Sequence, residues 1–123
     1  MRESKLWFWH ILSAAVILLF LGIHMGIMHL GAIWKALGIG NGDPVNSAEV
    51  FRRSRQFGFM ITYIVLLGTA LFHGLYGLRS MLIELMLSKT MEKAIGRICT
   101  AAGFILFIYG SYVAVQVFRM RGL

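Results

Sequence analysis

The chain has 123 residues, of which 59% are hydrophobic and 14% are charged. Because soluble domains carry about 25% charged residues, this composition excludes an ordinary soluble domain and predicts an integral membrane protein. The net charge of +7 comes from basic residues at the ends of apolar runs, a pattern typical of headgroup anchoring. These residues form no basic face interleaved with aromatics, so nucleic acid is not an expected partner.

Three apolar segments follow along the chain, at about residues 7–37, 57–87 and 95–118. Each is long enough, at about 20 residues or more, to cross the hydrocarbon core of a bilayer. The sequence contains no internal repeat and no composition change that would mark a second domain. It therefore predicts one all-α membrane domain over residues 1–123, with three transmembrane helices.

The two connections between these segments predict different structures. Residues 38–47 are rich in glycine and asparagine and contain an Asp-Pro pair, which is typical of a loop. Residues 47–55 predict a short interfacial helix, with Asn46 or Ser47 as its N-cap. The second connection, 88–93, is short and polar, so the second and third helices are expected to be antiparallel neighbours. Basic residues divide almost equally between the two sides, and the positive-inside rule therefore selects no orientation.

The first segment contains three of the four histidines, of which His24 lies deep in the apolar run. An imidazole is costly in hydrocarbon unless something binds it, and an interhelical hydrogen bond is the simplest alternative to a ligand role. His29 lies about 140° further around the helix, so it and His24 do not face one ligand. His24 is the ligand candidate, with Met28 on its face. His29 is expected near the membrane boundary, against water, lipid or the edge of a bound group.

The second segment contains His73 inside a long apolar run, with Gly77 four positions later and Glu84 eleven positions later. At about 100° per residue, these three residues fall in one narrow stripe of the helix. Gly77 leaves a flat gap beside the imidazole on that face. Arg79 is expected to reach either the anionic edge of a group in this gap or the lipid headgroups.

Two deep histidines on different helices indicate haem, because imidazole is the usual non-covalent axial ligand of a b-type haem. No Cys-x-x-Cys-His motif is present, which excludes covalent c-type attachment. No cysteine pair or His-x-x-x-His spacing offers a compact zinc site. Three helices leave little room for a large ligand, so the chain is predicted to form half of a haem-binding bundle that another membrane subunit completes. The candidate iron ligands are His73 and His24, and the candidate haem-pocket residues are Gly77, Arg79, Met28 and His29.

The remaining histidine, His10, follows Trp7 and Trp9 in a cluster typical of an aromatic belt. It is interpreted as an interfacial residue or as a neighbour of a quinone headgroup. If the N-terminus and the end of the second helix share a face, a candidate quinone site is formed there by Trp7, Trp9, His10 and Glu84. An alternative stays open, because His10 and His24 lie about 21 Å apart on roughly one helix face, a spacing that suits two stacked haems.

Two motifs resemble the small membrane-anchor subunit, called the D subunit, of succinate dehydrogenase and fumarate reductase. The first is Leu71–Gly77 followed by Glu84, which is similar to the family's ligand histidine, the glycine four positions on and a later acidic residue. The second runs from Ser13 through an aliphatic stretch to residues 22–25 and looks like the family's first helix. Leu85 differs from the tyrosine that many of these anchors carry after the acidic residue to contact quinone.

The resemblance implies a non-catalytic electron-transfer subunit of a succinate:quinone oxidoreductase or quinol:fumarate reductase, with quinone as the substrate. It implies His73 as an axial ligand of haem b near the iron–sulfur subunit, and His24 as a ligand of a second haem in a two-haem member. The implied partners are a second, C-type membrane anchor, an iron–sulfur subunit and a flavoprotein subunit. The implied location is the cell inner (cytoplasmic) membrane, with a cytoplasmic N-terminus.

Two alternatives stay open at this point. One is a haem b anchor subunit of another respiratory oxidoreductase, of the formate dehydrogenase or hydrogenase type. The other is a membrane scaffold that holds no cofactor. The number of haems, the type of quinone and the main direction of electron flow are also open.

Overall fold

A computed structural model describes residues 2–38, 46–85 and 88–120. Within these ranges the chain forms five helices and no strand. They are α1 (Arg2–His29), α2 (Gly31–Ala36), α3 (Ser47–Ser54), α4 (Phe57–Ile83) and α5 (Lys89–Arg119). Three of them are long and apolar enough to cross a membrane, over Ser4–Gly26, Phe57–Ile83 and Lys89–Arg119. The prediction of an all-α fold with three transmembrane helices is confirmed.

The first predicted helix, at about 7–37, is divided in the structure. The helix begins earlier, at Arg2, and α1 ends at His29. Leu30 separates it from the short α2. The chain then leaves α2 through Gly38, whose φ of 74° lies in the left-handed region that favours glycine. The apolar run at about 7–37 thus forms two helices, the long α1 and the six-residue α2.

The short helix predicted at about residues 47–55 is confirmed as α3, and its location at the membrane interface stays a prediction. Asn46 begins it as predicted, since its side-chain Oδ1 accepts a hydrogen bond of 3.0 Å from the backbone N–H of Ala48. Most of the predicted loop before it, residues 39–45, lies outside the described residues. At its other end α3 is followed directly by α4, and it contacts both α4 and α5.

The third transmembrane helix begins at Lys89, earlier than the predicted start near Ile95. Ser88 is its N-cap, and the Ser88 hydroxyl accepts a hydrogen bond of 3.3 Å from the backbone N–H of Met91. Glu92 lies in the first turn, where a carboxylate interacts favourably with the helix dipole. The polar stretch expected to be a connection is therefore mostly the first turn of α5.

Helix α4 lies between α1 and α5 and contacts both of them. The contacts with α5 run antiparallel: a Cβ on Gly68 would lie 3.1 Å from the Phe107 ring, and a Cβ on Gly103 would lie 3.0 Å from Leu75. Glycine at these positions lets the two helices approach closely. The expectation of antiparallel neighbours is thus confirmed, and the N-terminus of α1, the C-terminus of α4 and the N-terminus of α5 lie at one end of the bundle.

The three long helices do not enclose a core of their own. Among the residues whose burial is described, no hydrophobic side chain is buried, and the one buried residue is Ser13, at 6% exposure. Many large apolar side chains on all three helices are exposed instead. Lipid tails or another apolar subunit satisfy such surfaces in a membrane, where burial from water does not drive helix association.

Candidate functional site

Two histidines meet where α1 crosses α4. The His10 ring from α1 stacks on the His73 ring from α4, with centroids 4.2 Å apart and planes within 2° of parallel. Tyr76, one turn along α4 from His73, packs its ring 5.0 Å from that of His10. Ser13 lies beside them on the same face of α1 as His10, because the two are three positions apart. These four residues are called the histidine cluster below.

The hydrogen bonds of the cluster fix the tautomer of His73. Its Nδ1 lies 3.3 Å from the backbone carbonyl oxygen of His10 and 3.2 Å from Oγ of Ser13. The Ser13 hydroxyl donates its own hydrogen to the His10 carbonyl at 2.6 Å. Both neighbours of Nδ1 are therefore acceptors, so Nδ1 carries the proton of a neutral ring.

This tautomer leaves the lone pair of the His73 imidazole on Nε2. The hydrogen bonds recorded for His73 among the described residues all involve Nδ1. A histidine that ligates a metal through one nitrogen usually donates its other N–H to a carbonyl or a similar acceptor. The His73 side chain thus has the hydrogen bonding of a metal ligand, and its donor atom suits the iron of a haem.

The face of Gly77 is directed at the histidine cluster. A Cβ on Gly77 would lie 3.4 Å from Cε1 of His10 and 3.9 Å from Nε2 of the same ring. In this chain, therefore, the His10 side chain fills the gap that the sequence assigned to the edge of a flat ligand. Nδ1 of His10 is buried and has no hydrogen-bond partner.

The other predicted ligand, His24, lies apart from the cluster. It is an exposed residue of α1, about 21 Å along the helix axis from His10. At this distance His24 and His73 do not face one common ligand within this chain. His29 ends α1, but its side chain and that of Met28 lie outside the described part of the structure.

The remaining candidates share one end of the bundle. Trp7 and Trp9 precede His10 in the sequence and are 62% and 56% exposed, and Glu84 is exposed just beyond α4. The structure brings the proposed quinone-site residues to the same end, with no hydrogen bond or ring contact recorded between Glu84 and the others. Arg79 extends towards α5, where its Nε lies 3.4 Å from the position of a Cβ on Gly96.

Sequence reasoning missed the histidine cluster itself. The sequence singled out Ser13 only as the start of a motif, and His10 was interpreted as an interfacial residue or as a neighbour of a quinone headgroup. One feature of the sequence could have indicated the cluster: His10 and Ser13 lie three positions apart, so they put two polar side chains on one face of an apolar helix. Among the described residues, no group of three or more His, Cys, Asp or Glu side chains is placed to hold a metal ion.

These features define a multi-pass, all-α membrane protein with a polar histidine cluster between its first two transmembrane helices. The chain is similar to the succinate dehydrogenase hydrophobic membrane anchor subunit of Archaeoglobus fulgidus, with 24% identity over 115 residues. The similarity covers 94% of this chain and 91% of that protein. No protein-family model and no solved structure matches the chain.

Proposed function

We propose that this chain is a haem b-binding membrane anchor of a succinate:quinone oxidoreductase or quinol:fumarate reductase. Three observations support the proposal: the three-span fold, the similarity to an anchor subunit along nearly the whole chain, and the hydrogen bonding of His73. The chain performs no bond chemistry in this proposal. It holds the flavoprotein and iron–sulfur subunits at the membrane and passes electrons to or from quinone.

The observation that carries the haem proposal is the fixed tautomer of His73. Ser13 and the His10 carbonyl on α1 hold Nδ1–H of a residue on α4, so contact between the two helices orients the ligand before any cofactor binds. Bound haem would supply one-electron redox chemistry, with a potential set by its ligands and by burial. Gly77 and His10 would then set how closely the porphyrin edge approaches α4.

His24 is proposed as a ligand of a second haem nearer the opposite face of the membrane. A lone imidazole exposed to lipid is costly, and no hydrogen bond of a described residue satisfies it. A sister membrane subunit that covers this face of α1 would supply the second axial ligand for each haem. The same subunit would cover apolar surfaces that the described residues leave exposed.

The end of the bundle that holds Trp7, Trp9, His10 and Glu84 is proposed to face the iron–sulfur subunit and to bind the quinone headgroup. Indole N–H groups, an imidazole and a carboxylate offer donors and acceptors for the quinone carbonyl oxygens. The proposed location is the cytoplasmic membrane, with this end on the cytoplasmic side.

The proposal is tested by purifying the chain from its native membrane under mild detergent and identifying the subunits and pigments that accompany it. The expected result is a complex with a flavoprotein and an iron–sulfur protein, and a b-type α-band after reduction with dithionite. His24→Ala should remove one haem signal, whereas the matched variant His29→Ala should keep it. Molybdopterin or nickel subunits in the complex would instead indicate a formate dehydrogenase or hydrogenase anchor.

A cofactor-free scaffold is the second candidate, because one observation favours it. His10 already fills the gap at Gly77 and stacks on His73, so the two rings stabilise the α1–α4 contact without any ligand. A purified complex with a flavoprotein and an iron–sulfur subunit but no b-type absorption would support this candidate and contradict the haem proposal.

A further inference from the structure

A groove of about 960 Å³ runs between α4 and α5, at the end of the bundle that holds the N-terminus of α1. Its deeper part is apolar and is lined by aromatic and aliphatic side chains that include Phe72, Leu75, Phe104 and Phe107. Leu6 of α1 contributes to the same lining. Tyr76 of the histidine cluster also lines the groove, but none of the described lining residues is a histidine.

The lining at the other end of the groove is strongly basic. Arg79 from α4 and Lys93 and Arg97 from α5 line the groove, while its described lining residues include no aspartate or glutamate. Lys93 and Arg97 are one turn apart and therefore share a face of α5. Arg79 reaches that face from the opposite side, since its Nε lies against Gly96. The three positive charges converge on one place with no carboxylate among the lining residues.

The depth of these residues matches the layers of a bilayer. α5 has 31 residues and is about 46 Å long, which exceeds the roughly 30 Å of a hydrocarbon core. Lys93 lies about 6 Å from its first residue, within the part that extends beyond the hydrocarbon when the excess length is shared by the two ends. Arg97 lies about 12 Å from the first residue, just inside the core boundary, from where a long arginine side chain extends to the headgroups. Phe104 and Phe107 lie about 10 and 15 Å deeper than Arg97, at the level of the lipid tails.

We propose that the groove binds an anionic phospholipid, with its phosphate on Arg79, Lys93 and Arg97 and one acyl chain along Phe104 and Phe107. The ligand must be amphipathic, because the cationic and apolar parts of the groove are continuous. It must also carry net negative charge, because a zwitterionic headgroup brings a cation of its own to a site with three. Each Lys or Arg near an anionic headgroup contributes a favourable electrostatic free energy, and three of them together favour an anionic over a zwitterionic lipid.

The test is native mass spectrometry of the full chain, purified in detergent and mixed with dioleoyl phosphatidylglycerol or dioleoyl phosphatidylcholine at equal concentration. The proposal predicts preferential retention of phosphatidylglycerol. The double variant Lys93→Gln/Arg97→Gln should lower this retention about tenfold or more, because each cation contributes roughly a factor of five. Lys89→Gln is the matched control: it removes a basic residue from the same end of α5 that does not line the groove, and retention should be unchanged.

Three results would overturn the proposal. They are equal retention of the two lipids, an equal loss in the Lys89→Gln control, and displacement of the lipid by millimolar inorganic phosphate, which would identify a simple anion site. The variant Arg97→Lys keeps the charge and should keep the preference. Circular dichroism of each variant confirms that the helices are intact, so a loss of retention reports on the groove.

Discussion

At the scale of single residues, the decisive feature is the orientation of the His73 imidazole. Its Nδ1–H is held between the His10 carbonyl and the Ser13 hydroxyl, so its free nitrogen is fixed in position by a neighbouring helix. Such supporting hydrogen bonds commonly change metal affinity by about 10- to 100-fold when they are removed. The proposed ligand role of His73 therefore depends in part on Ser13, which holds its Nδ1–H.

We predict that Ser13→Ala weakens haem retention about tenfold without abolishing it, because the His10 carbonyl still accepts from Nδ1. Haem content per protein, measured by titration with free haem after purification, reports the change. Ser111→Ala is the control, since Ser111 on α5 also has a buried hydroxyl oxygen but no hydrogen-bond partner. Equal haem affinity in all three proteins would show that Ser13 does not support the ligand.

Gly77 provides a second test at this scale. In Gly77→Ala the new methyl group would lie 3.4 Å from His10, an ordinary contact, so we predict an unchanged or slightly higher thermal stability. If the porphyrin edge passes over Gly77, the same methyl group should shift the haem absorption band or lower its occupancy. Gly74→Ala, whose Cβ would meet nothing within 4 Å, should leave the spectrum unchanged. Identical spectra for the two variants would place the haem edge elsewhere.

At the scale of the helices, close contacts at glycine hold α4 against α5. Gly68 faces the Phe107 ring and Gly103 faces Leu75, so side chains of one helix pack onto the backbone of the other. By contrast, Gly22 and Gly26 on α1 have no atom within 4 Å of a Cβ position. These two positions on α1 thus have open space where a Cβ would be, on a helix whose surface is largely exposed.

We predict that Gly68→Val lowers the stability of the α4–α5 pair by about 1–3 kcal/mol, the usual cost of overpacking. The added methyl groups would meet Phe107, whose ring lies 3.1 Å from the Cβ position. Thermal unfolding in detergent measures the change. Gly58→Val on the same helix meets nothing within 4 Å and serves as the control for helix propensity. Restored stability in Gly68→Val/Phe107→Ala would confirm the contact, and equal stability of the two single variants would contradict it.

At the scale of the whole molecule, the hydropathy of the chain was enough to predict three antiparallel spans, because length and apolar composition alone decide which helices cross a bilayer. The helix ends were harder. The break at Leu30 occurs within an apolar run, and α5 starts at Lys89 because the Ser88 hydroxyl caps it. Local hydrogen bonds set such boundaries, and hydropathy does not report them.

The site was predictable only in part for a similar reason. His73 and Gly77 were singled out by their place on one helix, where spacing gives the geometry. The hydrogen-bond partners of His73 on α1, Ser13 and His10, lie 60 and 63 positions away. The register between two helices depends on packing that no spacing rule supplies. The described residues bury no hydrophobic side chain, which agrees with the proposal that a sister subunit completes the site.

The most direct test of the central claim compares the two stacked histidines. His73→Ala and His10→Ala each remove one imidazole from the same stack, and His10→Ala keeps the backbone carbonyl that holds His73. Dithionite-reduced minus oxidised spectra of the two purified complexes, normalised to flavin, are the measurement. The account predicts that His73→Ala loses one b-type haem signal while His10→Ala keeps it. Loss of haem from His10→Ala alone, or full haem in His73→Ala, would contradict it.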